Sequence, residues 1–85
     1  MDGYIITPHA EFEMRRRGIT EEDLWKVVAT PEQEIDDDTN PGRVIRQSRI
    51  GNYLLRVFVD IDRTPADIVT VYRTSKIGKY WRGPL

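Results

Sequence analysis

The apolar positions of this chain change period partway along it. As far as Ala29 they recur at helical spacing; from Arg43 onward they alternate with polar ones. Ala10 and Met14 lie one helical turn apart, with Phe12 on the flank, while His9, Glu13 and Arg16 form a second stripe. Thr7 can cap this helix through its hydroxyl, Pro8 suits the first helical position, and Gly18 suits the stop, where a positive φ is needed. Arg15, Arg16 and Arg17 put cations at the negative end of the helix dipole. The pattern predicts a helix over Pro8–Arg17. A second helix is predicted after Thr20, with Glu21, Glu22 and Asp23 in its first turn and Leu24, Val27 and Val28 as its buried stripe. Trp25 flanks that stripe, and Thr30-Pro31 ends the helix. Tyr4–Ile6, before both helices, reads as an edge strand or as a segment laid over the core.

The second half of the chain reads as strands. Glu34-Ile35 suits a short one, and Asp38–Gly42 has the chemistry of an exposed loop. Arg43–Ile50 suits an outer strand, and Gly51-Asn52 a tight hairpin. Tyr53–Ile61 is the strongest strand, with Leu55, Val57, Val59 and Ile61 on one face and Leu54, Arg56, Phe58 and Asp60 on the other. Asp62–Asp67 is a turn. In the last strand, Asp67–Thr74, strict alternation puts Val69 and Val71 on one face and Ile68, Thr70 and Tyr72 on the other. The tail carries Tyr80 and Trp81 and is expected to pack back on the domain. Helices followed by hairpin-linked strands predict an α+β fold, with two N-terminal helices on one face of a three- to four-stranded antiparallel sheet. The second face is then available, and Arg56, Phe58, Thr70 and Tyr72 on it suit either solvent or a nucleic-acid strand.

Composition narrows the class. Eighty-five residues make one domain, spanning 1–85. A charged fraction of 32% against an apolar fraction of 39% describes a globular chain with a well-charged surface. Without cysteine, a reducing cytoplasmic setting is the natural expectation. The first residues resemble no secretory signal, and no apolar run is long enough for a membrane helix, so no membrane partner is expected. One histidine and no cysteine exclude an ordinary zinc site, and Asp36-Asp37-Asp38 lacks the spacing of a calcium loop. No metal and no cofactor are expected. The net charge of −1 argues against a generic polyanion binder, but its distribution is uneven. Acid gathers between Glu32 and Asp38, whereas Arg15–Arg17 and the segment after Tyr72 are basic.

His9-Ala10, Met14, Arg17-Gly18-Ile19 and Glu22-Asp23 resemble the HAxxRMxxRGI signature, with its trailing capping and acidic positions, of a widespread bacterial domain family of unknown function. Ile68–Thr74 resembles that family's last strand. The resemblance implies kinship with the RelE-like toxins, metal-independent ribonucleases of toxin–antitoxin modules, and with a barnase–RelE-like nuclease fold. It implies RNA, and an antitoxin or other protein, as partners. Glu13 departs from the signature, which has arginine there. Either that cation is lost or Arg16 on the same stripe replaces it.

Cleaving RNA without metal needs a base for the 2′-hydroxyl, an acid for the leaving 5′-oxygen and cations for the phosphorane. His9 is the base or acid candidate, its unperturbed pKa being near neutrality. Arg17, Arg73 and Lys76 are the phosphate-clamp candidates, and Tyr80 a further acid or a stacking platform. Arg16, Arg56, Thr74, Ser75 and Trp81 complete the expected substrate contacts. The rival reading is a non-catalytic protein-interaction module of the same fold, which Glu13 and the net charge favour.

Overall fold

A computed structural model describes residues 3–85. The elements run β1 (Tyr4–Ile6), α1 (Pro8–Arg17), α2 (Glu21–Ala29), β2 (Gln33–Asp36), β3 (Arg43–Ile50), β4 (Tyr53–Asp60), β5 (Ala66–Thr74) and a short α3 (Ile77–Tyr80). The fold is α+β, but the sheet is larger than the predicted one and mixed. Its five strands lie in the order β1-β5-β4-β3-β2, with β1 parallel to β5 and the other pairs antiparallel. Two short strands account for the difference. Tyr4–Ile6 joins the sheet as an edge, and Gln33–Asp36 forms the opposite edge. Neither is long enough to reveal its pairing through alternation.

The helices carry the chain from one edge of the sheet to the other, a span of about 19 Å at the usual strand spacing. α1 packs on β5, and α2 on β3 and β4. Thr7 anchors the start of α1. Its hydroxyl accepts from the Ala10 N–H at 3.2 Å and lies within donating distance of the Ile68 and Val69 carbonyls, at 2.9 and 3.1 Å. Gly18 ends α1 at φ +67°, and its N–H donates back to Arg15. Thr20 caps α2 by accepting from the Asp23 N–H.

The core between helices and sheet holds Ala10, Met14, Leu24, Val27, Val28, Val44, Leu55, Val57, Val59, Ile68 and Val71. Each fully buried aliphatic side chain here contributes about 1.5–3 kcal/mol. Two expectations need correction. Strict alternation placed Val69 with Val71 and put Ile68 on the opposite face. The register shifts between Phe58 and Val59, so that Phe58 faces Thr70 and Val59 faces Ile68. Val69 is the extra residue, and the bulge turns both Ile68 and Val71 into the core. Ile61, expected inside, follows the end of β4 and is 46% exposed.

The second sheet face is not wholly open. It carries Gln33 and Ile35 from β2, Ile45, Gln47 and Arg49 from β3, Leu54, Arg56 and Phe58 from β4, and Thr70, Tyr72 and Thr74 from β5. The tail crosses from β5 to β2. The Gln47 amide donates to the Tyr80 carbonyl, and Gln33 exchanges hydrogen bonds with the Arg82 backbone. Gln47 is completely buried beneath the tail, and Leu54 is completely buried on the same face.

Arg43 and Asp60 clamp the far end of β3 and β4 through two hydrogen bonds, at 2.7 and 3.3 Å. Hydrogen bonding to Arg43 holds the Asp60 carboxyl below its ordinary value. Such a group adds stability above the unfolded-state pKa, near pH 4, and that stability disappears as pH falls through the lower folded-state value. Asp60→Asn should therefore cost about 1 kcal/mol at pH 7. Thermal denaturation should show the gap from wild type closing as pH drops from about 5 to about 2. A gap that stays constant over that range would exclude this role for Asp60.

Candidate functional site

Where the tail crosses the second sheet face, it leaves a cleft of about 280 Å³ lined by Ile35, Arg56, Lys79, Tyr80, Trp81 and Arg82. Three of these six residues are cations, and none is an acid. Each comes from a definable piece of local structure. Arg56 lies at the centre of β4, opposite Gln47 on β3 and Tyr72 on β5. Lys79 and Tyr80 sit on α3, and Trp81 ends that helix in extended backbone.

Arg56 is only 8% exposed. Its Nε donates to Gln47 Oε1 at 2.9 Å, and its guanidinium carbon stands 4.3 Å from the Tyr80 ring centre and 5.5 Å from that of Phe58. Among the described residues no carboxylate lies within ion-pair distance of it. Burial therefore pulls its pKa below the ordinary arginine value, opposed by the phenols of Tyr80 and Tyr72. Other arginines differ. Glu32 raises Arg49, Asp60 raises Arg43, and Asp62 heads the acids that raise Arg63. At Arg46 burial is the largest single influence, yet Glu34 and Tyr4 together raise it.

The aromatic residues extend the site toward α1. Tyr80 meets Tyr72 edge-on at 5.8 Å, and the Arg17 guanidinium carbon lies 5.1 Å from the Tyr72 ring centre. Arg17 reaches this side because β1 pairs only with Ala66–Ile68 and leaves the rest of β5 uncovered at that edge. The Tyr80 side chain first, then Thr74, lowers the Tyr72 phenol below its ordinary value, and the charges of Lys79 and Arg17 act in the same direction. On the other flank, Arg49 stacks on Trp81 at 4.5 Å while paired to Glu32 at 3.1 Å.

The candidate residues from the sequence are thus divided. Arg17, Arg56, Tyr80 and Trp81 gather along this face. Thr74 adjoins them, its hydroxyl accepting from the Lys76 backbone N–H at 3.0 Å. Ser75 and the Lys76 side chain are exposed beside it. Arg16 is exposed and bonds to Glu13, which also accepts from Arg17 at 2.9 Å. Hydrogen bonds from Arg16 and then Arg17 hold the Glu13 carboxyl below its ordinary value. His9 and Arg73 lie elsewhere. His9 is exposed on the first turn of α1, about 12 Å along the helix axis from Arg17. Arg73 projects to the helix side of the sheet, 5.0 Å from the Tyr53 ring centre. Sequence reasoning put Tyr72 on the face offered to a nucleic-acid strand but named no role for it, and it left Lys79, Arg82, Gln33 and Gln47 out of the site. The signal for Tyr72 was its shared face with Arg56. Lys79 and Arg82 carried only the basic character of the tail, and the two glutamines carried none.

Among the described residues no group of three or more histidine, cysteine or carboxylate side chains is placed to hold a metal ion. No helix among them is long and apolar enough to cross a membrane. A family model described as Domain of unknown function (DUF4258) matches residues 6–73. No curated protein and no solved structure matches the chain.

The tyrosine cluster makes a direct prediction. Spectrophotometric titration of the phenols should find Tyr72 ionising below the ordinary tyrosine range, and Tyr80→Phe should raise that value. No change on substitution would mean that Tyr80 does not set it.

Proposed function

The chain belongs to the DUF4258 family, and from that premise we propose that it is a RelE-like, metal-independent ribonuclease-like domain of a toxin–antitoxin module. The order of two helices followed by the antiparallel β3-β4-β5 meander supports the RelE-like kinship. The observation that carries the RNA reading is the cleft, where unpaired Arg56 stands with Lys79 and Arg82 beside the faces of Tyr80 and Trp81. Phosphates suit the cations, and bases suit the rings. Cleavage in such a site joins the 2′-oxygen to phosphorus and breaks the bond to the 5′-oxygen, leaving a 2′,3′-cyclic phosphate and a 5′-hydroxyl. The 2′-hydroxyl proton goes to a base, and the 5′-oxygen receives a proton from an acid. Tyr72 and Tyr80 are the proton-transfer groups beside the cleft, with Arg56 and Arg17 stabilising the phosphorane charge. His9 has no part in this arrangement.

One observation favours the rival, a non-catalytic interaction module. Glu13 is 12% exposed at its side chain and binds both Arg16 and Arg17, so the guanidinium beside the Tyr72 ring, that of Arg17, is already partly neutralised.

The test is incubation of the purified chain with a fluorescent single-stranded RNA in EDTA. Binding that weakens steeply with added salt is expected, together with cleavage to cyclic-phosphate ends. Tyr72→Phe should lower cleavage by about 100-fold or more while retaining binding. Salt-sensitive binding without cleavage would favour the rival, and absence of both would overturn the RNA reading.

A further inference from the structure

Gln47 is fully buried, and every polar atom of its amide is engaged. Its Nε2 donates to Gln33 Oε1 at 2.8 Å and to the Tyr80 carbonyl at 3.1 Å. With the nitrogen so committed, its Oε1 must face Arg56, and it accepts from Arg56 Nε at 2.9 Å. Gln33 continues the relay. Its Oε1 also accepts from the Arg82 N–H at 3.1 Å, and its Nε2 donates to the Arg82 carbonyl at 2.7 Å. Four elements of structure therefore fix one guanidinium: β2, β3, β4 and the tail.

This relay contains no charge besides that of Arg56 itself. The terminal nitrogens of Arg56 have no hydrogen-bond partner among the described residues. None of its polar atoms is both enclosed and unpaired, so those nitrogens open into the cleft that Arg56 lines. Glutamate has nearly the shape of glutamine and would give Arg56 the kind of ion pair that Arg43, Arg46, Arg49 and Arg63 have. A neutral amide at this position orients the guanidinium and leaves its charge uncommitted.

We propose that Gln47 is a positioning residue that aims Arg56 at a tetrahedral phosphate group, and that Arg56, Lys79 and Arg82 form its binding site in the cleft. The identity of that phosphate as part of RNA rests on the reading above; the phosphate site itself does not. Two nitrogens of a fixed guanidinium match two oxygens of a phosphate, which a point charge does not. The shared chemistry is the phosphate oxyanion, either free or within an RNA strand.

The experiment uses the full chain, with inorganic phosphate and a single-stranded RNA as separate probes. On wild type, NMR of the Arg56 Nε–H should show a saturable shift with each probe. Gln47→Glu should stay folded, by its amide spectrum, and bind the RNA roughly tenfold more weakly. Its slope of log K against log salt should be shallower by about 0.7, the loss of one phosphate contact to a single strand. Asn52→Asp, an equal charge change in the distant hairpin turn, should leave that slope unaltered. A folded Gln47→Glu with wild-type affinity and slope overturns the proposal. So does RNA binding that leaves the Arg56 resonance unmoved, a result that would spare the RNA reading. Saturation by phosphate at Arg56 without RNA binding keeps the site and discards the RNA reading. If Gln47→Glu does not fold, the wild-type Arg56 titration decides alone.

Discussion

Arg56 leaves water with a neutral amide for its partner, and the second sheet face is arranged around that fact. The effective penalty for burying an unpaired ion is several kcal/mol even after relaxation. One hydrogen bond to Gln47 offsets part of it, and the ring faces of Tyr80 and Phe58 add about 0.5–2 kcal/mol each. The remaining access of the terminal nitrogens to the cleft spares them full desolvation. Tyr80 and the carbonyl that orients Gln47 both belong to the segment after β5. Docking of the tail and burial of Arg56 are therefore one event. The same event covers Gln47, which is fully buried on this face.

The other face obeys a different constraint. A chain that enters at one edge of a five-stranded sheet and must reach the opposite edge needs a covering layer along the way. α1 and α2 are that layer. Thr7 ties the start of α1 to the carbonyls of Ile68 and Val69, next to the bulge. The bulge lets β5 present Ile68 to the core near α1 and still present Tyr72 to Tyr80 on the second face further along. Because β1 ends its pairing at Ile68, Arg17 at the far end of α1 can reach around the edge to the Tyr72 ring. One helix thus contributes to both faces of the sheet.

These arrangements were unequally legible in the sequence. Helix limits were plain, since Thr7, Pro8 and Gly18 are local signals whose chemistry does not depend on distant residues. The long strands β3, β4 and β5 were plain as strands, but β3, expected as an outer strand, pairs on both sides, with β2 and β4. What escaped was non-local. A parallel edge pairing of three residues has no signature of its own, and the bulge at Val69 is set by how β4 and β5 meet rather than by either strand alone. At the candidate site, the shared face of Arg56 and Tyr72 followed from strand period. The separation of Arg73 from them followed from that period too, because Tyr72 and Arg73 are neighbours on a strand and point apart. Gln33 and Gln47 were invisible, since a buried amide relay depends on where the tail lies.

The same logic explains how a chain of net charge −1 holds a cationic cleft. Net charge sums over the surface, whereas a ligand meets only the charges left uncompensated where it binds. Glu32, Glu34, Asp60, Asp62 and Asp67 are each within ion-pair distance of an arginine on the strands or their connecting loop, and Glu11 and Glu13 do the same for α1. These seven acids are thus engaged by arginines other than Arg56, which is left with an amide and feels the Asp37 charge only without contact. Glu13 marks the limit of this separation, since its grip on Arg17 brings a carboxylate to the margin of the tyrosine cluster. An anion entering from the Arg56 side meets positive potential unopposed by a contacting acid, while one approaching past Arg17 competes with Glu13. Binding at the cleft is accordingly better supported by the electrostatics than any step that needs Arg17 to release its partner.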